Sequence, residues 1–276
     1  MSASFVYDAV RTPFGRHGRG LAGLRPDDLA AGLLAELVAR QPELDPELID
    51  DVVLGDANQA GEDNRDVARM AALLAGLPIT LPGVTVNRLC GSSLEAVIQA
   101  SRAVETGDAG IVLAGGVESM SRAPWVVPKP ERPYPSAHQT MHSTTLGWRM
   151  VNPRMPSGWT VALGETAEIL AQEHGISRAA QDEFAWRSHR LAEAAWTAGR
   201  YEAEIVRPAG VELARDEGIR PDTSLAALAR LKPAFRADGS VTAGNSSPLS
   251  DGAAALLIAA ERAPGLGQPL ARSTRP

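Results

Sequence analysis

The sequence runs to 276 residues, 44% of them apolar, enough to bury a substantial core in one large domain or two smaller ones. A net charge of −6 argues against a broad nucleic-acid footprint, which would need a basic surface. The single cysteine permits neither an internal disulfide nor a Cys-rich zinc site and suits a reducing compartment.

The opening "MSASFVYDAVRTPFG" lacks the basic and apolar regions of an export signal. No stretch approaches the roughly 18 uninterrupted apolar residues of a membrane span. The expectation is a soluble cytoplasmic protein with neither membrane nor nucleic acid as a partner.

Short β-rich runs alternate with longer Ala/Leu/Glu segments, the pattern of strands joined by crossover helices. "SFVYDAV" is a first strand, and "RPDDLAAGLLAELVAR" a first helix with Pro26, Asp27 and Asp28 at its amino end. "IDDVVLGDA" is a strand, and "NRDVARMAALLAGL" has apolar residues at helical spacing and stops near Gly76 and Pro78. "GVTVNRL" gives a third strand, "SSLEAVIQASRAVETG" a third helix, and "AGIVLAGGVES" a fourth strand apolar enough to be central. From about Pro124 to Pro156 the texture turns Pro-, Arg- and His-rich without a period, a surface excursion suited to lid, ligand or oligomer contacts. Helical texture returns in "GETAEILAQEHGISRAAQDEFAWRSHRLAEAAWTAG", with a capping-box-like start at Ser177. "DGSVTAGNSSPLSDGAAALLIAAERA" leads through turns into a last apolar strand.

The lone cysteine lies in "VNRLCGSSLEAV", after a strand and just before a helix. Unpaired N–H groups and the dipole at a helix start favour an anion, so a thiolate there would be a competent nucleophile. Gly91 would let a substrate carbonyl approach the backbone. A small buried hydrophobe is the other reading of Cys90, and position alone does not decide between them.

Five stretches resemble the thiolases, a family of acyl-CoA acyltransferases: "VRTPFGRHGRGLAG", "ANQAGEDNRDVARMAALLAGLP", "VTVNRLCGSS", "TGDAGIVLAGGVESMSRAP" and "LKPAFRADGSVTAGNSSPLSDGAAALLIA". They span almost the whole chain in the family's order. The resemblance implies an α/β thiolase-like fold: an N-terminal half, with a mostly parallel five-stranded sheet and helices, plus an inserted loop domain. Residues 1–122 would form the first part of that half, 123–239 the loop domain, 240–263 its last strand, and 264–276 a stub of a C-terminal half.

The resemblance further implies that Cys90 attacks an acyl-CoA thioester and carries the acyl group in a ping-pong reaction. Its backbone N–H would donate to the oxyanion. Arg220, Phe235, Ala243 and Ser247 would lie at the coenzyme A moiety, with Arg220 suiting a phosphate, Phe235 an apolar surface and Ser247 a pantetheine amide. Acyl-CoA and CoA would be substrates, with no metal and no further cofactor. "ANQAGEDNRDVARMA" and "TTLGWRMVNPRM" look closest to thiolases acting on β-ketoadipyl-CoA or 3-oxoacyl-CoA. Homo-oligomers are typical of the family.

Two departures bear on acyl specificity: Ala162-Leu163 precede "GETAE" where some thiolases carry His-Met, and Ala227 stands where a serine is common. The sequence contains no Asn-Glu-Ala-Phe, Gly-His-Pro or late Cys-x-Gly segment, which in the family supply an oxyanion-binding Asn, an activating His and an acid/base Cys. None of His17, His138, His142, His174 and His189 is followed by proline. The expectation is a chain without the C-terminal half, active as an acyltransferase alone or with a separately encoded partner. The alternative is an inactive fragment that at most binds CoA ligands or another protein.

Overall fold

The computed structural model describes residues 3–273. It divides into two compact units, one made of residues up to Ala123 with Glu202–Glu217 and the chain from Ser250 onward, the other of Pro124–Tyr201 and Gly218–Leu249.

The first unit contains β1 (Ser4–Arg11), β2 (Gly15–Arg16), α1 (Pro26–Ala39), β3 (Asp51–Gly55), α2 (Val67–Leu74), β4 (Gly83–Val86), α3 (Ser92–Thr106) and β5 (Ile111–Ser119). The second contains β6 (Trp125–Val126), β7 (His142–Ser143), α4 (Leu163–Glu173), α5 (Arg178–Thr197) and α6 (Leu225–Ala229). The chain then returns to the first unit with β8 (Ser250–Ala260) and β9 (Ala271–Arg272).

The main sheet runs β4-β3-β5-β8-β1-β9, with β2 also paired to β8. Its strands are apolar on both faces because both faces are covered, as in other α/β sheets. Val52, Leu54, Ile111, Leu113, Ala255 and Leu257 turn to one side, where they pack with Leu29, Leu33, Leu34 and Leu37 of α1 and Val67, Ala68, Ala71 and Ala72 of α2. Val53, Val112, Ala114 and Ile258, offset by one residue, turn to the other side against Ala96, Ala100 and Val104 of α3. Helix α3 therefore lies alone on its face of the sheet, among the described residues of this unit.

The expectation of a mostly parallel sheet needs correction. Five long strands are present, and β1, β3, β4 and β5 point the same way, but β8 is antiparallel to both β5 and β1. Only β4-β3 and β3-β5 form parallel ladders. Strand β8 fills the gap between β5 and β1, so the sheet is mixed.

The two units also divide the chain differently from the expected domains. Residues 202–217 belong to the first unit, because the Arg11 guanidinium is bound by Glu204 (2.6 Å) and Asp216 (2.9 Å) and Val206 N–H donates to the Arg11 carbonyl. Residues 240–249 belong to the second. The segment expected as a stub supplies β9, paired with Phe5 and Val6 of β1, and its residues 274–276 lie outside the described residues.

Candidate active site

Strand β4 stops at Val86, three residues short of the apolar run that suggested it, because the next residues bond to themselves instead of to a neighbouring strand. The Asn87 Oδ1 accepts the Leu89 N–H (2.9 Å). The Ser92 Oγ accepts the Arg88 N–H (2.8 Å) and donates to the Leu89 carbonyl (2.6 Å). Gly91 and Ser92 N–H groups donate back to the carbonyls of Arg88 and Leu89.

These bonds hold Leu89 at φ +51°, a left-handed backbone that costs a side-chain-bearing residue about 1–2 kcal/mol. The turn delivers Cys90, which is exposed, to the position just before α3. The N-cap of α3 is Gly91 and no side chain caps the helix, so, beyond the Ser92 N–H that the Leu89 carbonyl takes up, the N–H groups of Ser93 and Leu94 and the positive end of the dipole stay available to an anion. Exposure removes the reading of Cys90 as buried filler.

Two glycines allow this placement. A Cβ on Gly55, at the end of β3, would overlap the backbone of Ser92 and Ser93, and one on Gly116 in β5 would overlap the Ser93 Oγ and the Gly55 carbonyl. The first turn of α3 thus rests directly on the backbones of β3 and β5 at their carboxyl ends.

Beneath the turn lies a carboxyl cluster that the sequence did not disclose. Asp56 is 3% exposed, Asp63 4%, and Glu118 is half-buried. Burial pushes Asp56 up to about 9, with the like charges of Glu118 and Asp63 adding to the effect. Burial raises Asp63 and Glu118 as well. The Asp56 Oδ1 accepts the Asn58 N–H (3.0 Å) while Oδ2 has no partner in the structure. Glu118 accepts the Ala57 N–H (3.0 Å), and the Asn87 Nδ2 donates to the Ala57 carbonyl (2.9 Å). Asp251, fully buried, accepts from both the backbone N–H and the hydroxyl of Ser121.

The other expected site residues all lie in the second unit, whereas Cys90 lies in the first. Ala243 and Ser247 are exposed on the loop that runs from Ser240 to Leu249. That loop is built on Glu168 of α4, 4% exposed, whose carboxylate accepts the N–H groups of Ser240 and Val241 and the Ser240 hydroxyl. Burial opposes ionisation of Glu168, yet these donors hold it below the usual carboxylate range. Asn245 ties the loop to α5 by donating to Asp182 (3.0 Å) while its Oδ1 accepts the Thr242 N–H (2.7 Å).

Phe235 is exposed, and its ring lies where a Cβ on Gly164 of α4 would stand. Arg220 is exposed, and its backbone N–H donates to His189 Nδ1 (3.2 Å). Burial, with the Arg220 charge, pushes His189 below its ordinary value, which suits a neutral acceptor. Among the described residues no group of three or more His, Cys, Asp or Glu side chains is placed so that it could hold a metal ion.

The family model for the thiolase N-terminal domain matches residues 4–262. The chain belongs to the thiolase family. A β-ketoadipyl-CoA thiolase of Escherichia coli is 52% identical over 270 residues, which cover 95% of this chain and 67% of that relative. A 3-ketoacyl-CoA thiolase of Shewanella loihica is 43% identical over 280 residues, 68% of its length. The crystal structure of the Bacillus anthracis acetyl-CoA acetyltransferase superposes with a TM-score of 0.88 at 38% identity, over 99% of this chain and 69% of that one. Human mitochondrial 3-ketoacyl-CoA thiolase, solved in complex with CoA, gives 0.87 at 33% identity, over 98% and 68%. The chain thus spans about two thirds of the length of these thiolases. No helix among its described residues is long and apolar enough to cross a membrane.

Proposed function

We propose that the chain performs the acyl-accepting step of a thiolase. The Cys90 thiolate attacks the carbonyl carbon of an acyl-CoA thioester, the C–S bond to CoA breaks, and the CoA thiolate leaves to take up a proton. The product is an acyl group on Cys90, which passes to CoA or to an acetyl-CoA carbanion in the second half of a ping-pong cycle. The observation that carries this reading is the exposed Cys90 at the apex of a constrained turn, next to an uncapped helix start. The Cys90 backbone N–H serves as one oxyanion donor.

Arg220, Phe235, Ala243 and Ser247 bind the CoA moiety, and coenzyme A thioesters are substrates with no further cofactor. The names of the relatives support a 3-oxoacyl-CoA thioester, of the β-ketoadipyl or the 3-ketoacyl kind, as the substrate. The protein works in the cytoplasm as a homo-oligomer, with the remaining catalytic groups supplied by a C-terminal half. The direct test is intact-protein mass spectrometry after exposure to acetyl-CoA. An adduct of one acetyl group that maps to Cys90 and is absent from Cys90→Ser supports the reading, and its absence from the parent chain refutes it.

A second reading is a CoA-ligand binding module without turnover, the alternative that the sequence left open. It predicts saturable binding of CoA with no adduct.

A further inference from the structure

Outside the turn's own backbone and Ser92, one residue alone among those described hydrogen-bonds to Leu89, by accepting its N–H. That residue is Asn87, and both ends of its carboxamide are committed: Oδ1 to the Leu89 N–H (2.9 Å), Nδ2 to the Ala57 carbonyl (2.9 Å). Ala57 is anchored in turn, since its N–H donates to Glu118 at the end of β5 (3.0 Å). The series Glu118, Ala57, Asn87, Leu89 thus runs from the central sheet to the residue before the cysteine. We propose that Asn87 is a positioning residue for the Cys90 nucleophile, fixing the left-handed turn at Leu89 against the frame that Glu118 provides.

The argument is one of conformational preference. Leucine leaves the left-handed region unless something holds it there, whereas glycine occupies that region without cost. Asn87 is exposed and lines no core, so its bonds to Leu89 and Ala57 are the contacts that its substitution removes. When Oδ1 is lost, Leu89 relaxes, and Cys90 swings away from the start of α3 and its dipole.

The proposal rests on Cys90 as the nucleophile, and its test separates the two. Cys90 is the only thiol in the chain, so iodoacetamide reports on it without any thioester chemistry. Asn87→Ala should keep the parent's far-ultraviolet circular dichroism and slow alkylation at pH 7 by about two- to fivefold, the worth of a helix-terminus charge effect. Acetylation by acetyl-CoA should slow further, by about 10- to 100-fold in its limiting rate, with the half-saturating concentration unchanged, as expected for a misplaced reacting atom. Asn87→Asp keeps the acceptor for Leu89 but loses the donor to Ala57, and should fall between parent and Asn87→Ala.

Glycine at position 89 makes the hold unnecessary. In a Leu89→Gly background, adding Asn87→Ala should change both rates by less than about twofold. Parent-like rates in Asn87→Ala overturn the proposal. So does a penalty that persists undiminished in the Leu89→Gly background. If the parent takes no acetyl group, the proposed function fails, while the alkylation cycle still decides on Asn87.

Discussion

Replacing Asp56 by asparagine should remove most of one pH dependence of stability. Asp56 is 3% exposed, and burial raises its carboxyl to about 9 in the folded chain from an ordinary 3.8, so between these values the folded state holds a proton that the unfolded state has released. Stability from this group is fully present below about pH 4 and is lost as pH rises towards 9, with a slope of about 1.4 kcal/mol per pH unit. Asparagine is neutral throughout and keeps the oxygen that accepts the Asn58 N–H. Urea unfolding of parent and Asp56→Asn at pH 5, 6, 7 and 8 should give a stability difference that grows in favour of the variant by about 1.4 kcal/mol per unit, or about 4 kcal/mol over three units. Titrating groups outside the cluster are common to both proteins and largely cancel in the difference. Parallel stability curves would show that Asp56 is ionised in the folded chain and would refute the account of the cluster.

Gly55→Ala should cost about 1–3 kcal/mol by urea titration and slow alkylation of Cys90, because the new methyl must displace the first turn of α3; a parent-like midpoint would contradict the close approach. Leu113→Ala, fully buried in the sheet, should lose about 2–5 kcal/mol by the same assay, and a loss under 1 kcal/mol would mean that the site can collapse. Glu168→Ala, which strips the loop from Ser240 to Val241 of its acceptor, should speed proteolytic cleavage within 240–247 severalfold without altering iodoacetamide labelling of Cys90. Unchanged cleavage would deny that Glu168 builds this loop.

The elements with a clear period were legible in sequence. Helix α3 begins and ends within a residue of the segment read from "SSLEAVIQASRAVETG", closed by Gly107 at φ +84°. Ser177 caps α5 as its position suggested, accepting the Ala180 N–H (3.2 Å). What failed was long-range. The polarity of β8 was not readable, because an apolar strand looks the same in either direction and only its neighbours decide. The return of 202–217 depends on Arg11 meeting Glu204 and Asp216, partners that share no local pattern.

At the candidate site, the placement of Cys90 just before a helix was legible in the sequence. Asp56 was not, since a carboxylate at a strand end is ordinarily solvated and its burial follows from packing against Glu118 and Asp63. Asn87 stands in plain view three residues before the cysteine, but its value lies in two hydrogen bonds that only the folded turn reveals.

The placement of β8 sets an order of events for a growing chain. Strand β5 is complete at residue 119 and β1 far earlier, yet the strand that joins them arrives only at 250–260, with Ser4 facing Ala260 and Ile111 facing Ala259. Until then both strands expose apolar edges that could pair with other chains, a recognised route to aggregation. Closure must bring together segments separated by more than a hundred residues, a slow step by its contact order. The turn that carries Cys90 is made early in synthesis, but the sheet on which it rests is sealed by a strand made more than a hundred residues later.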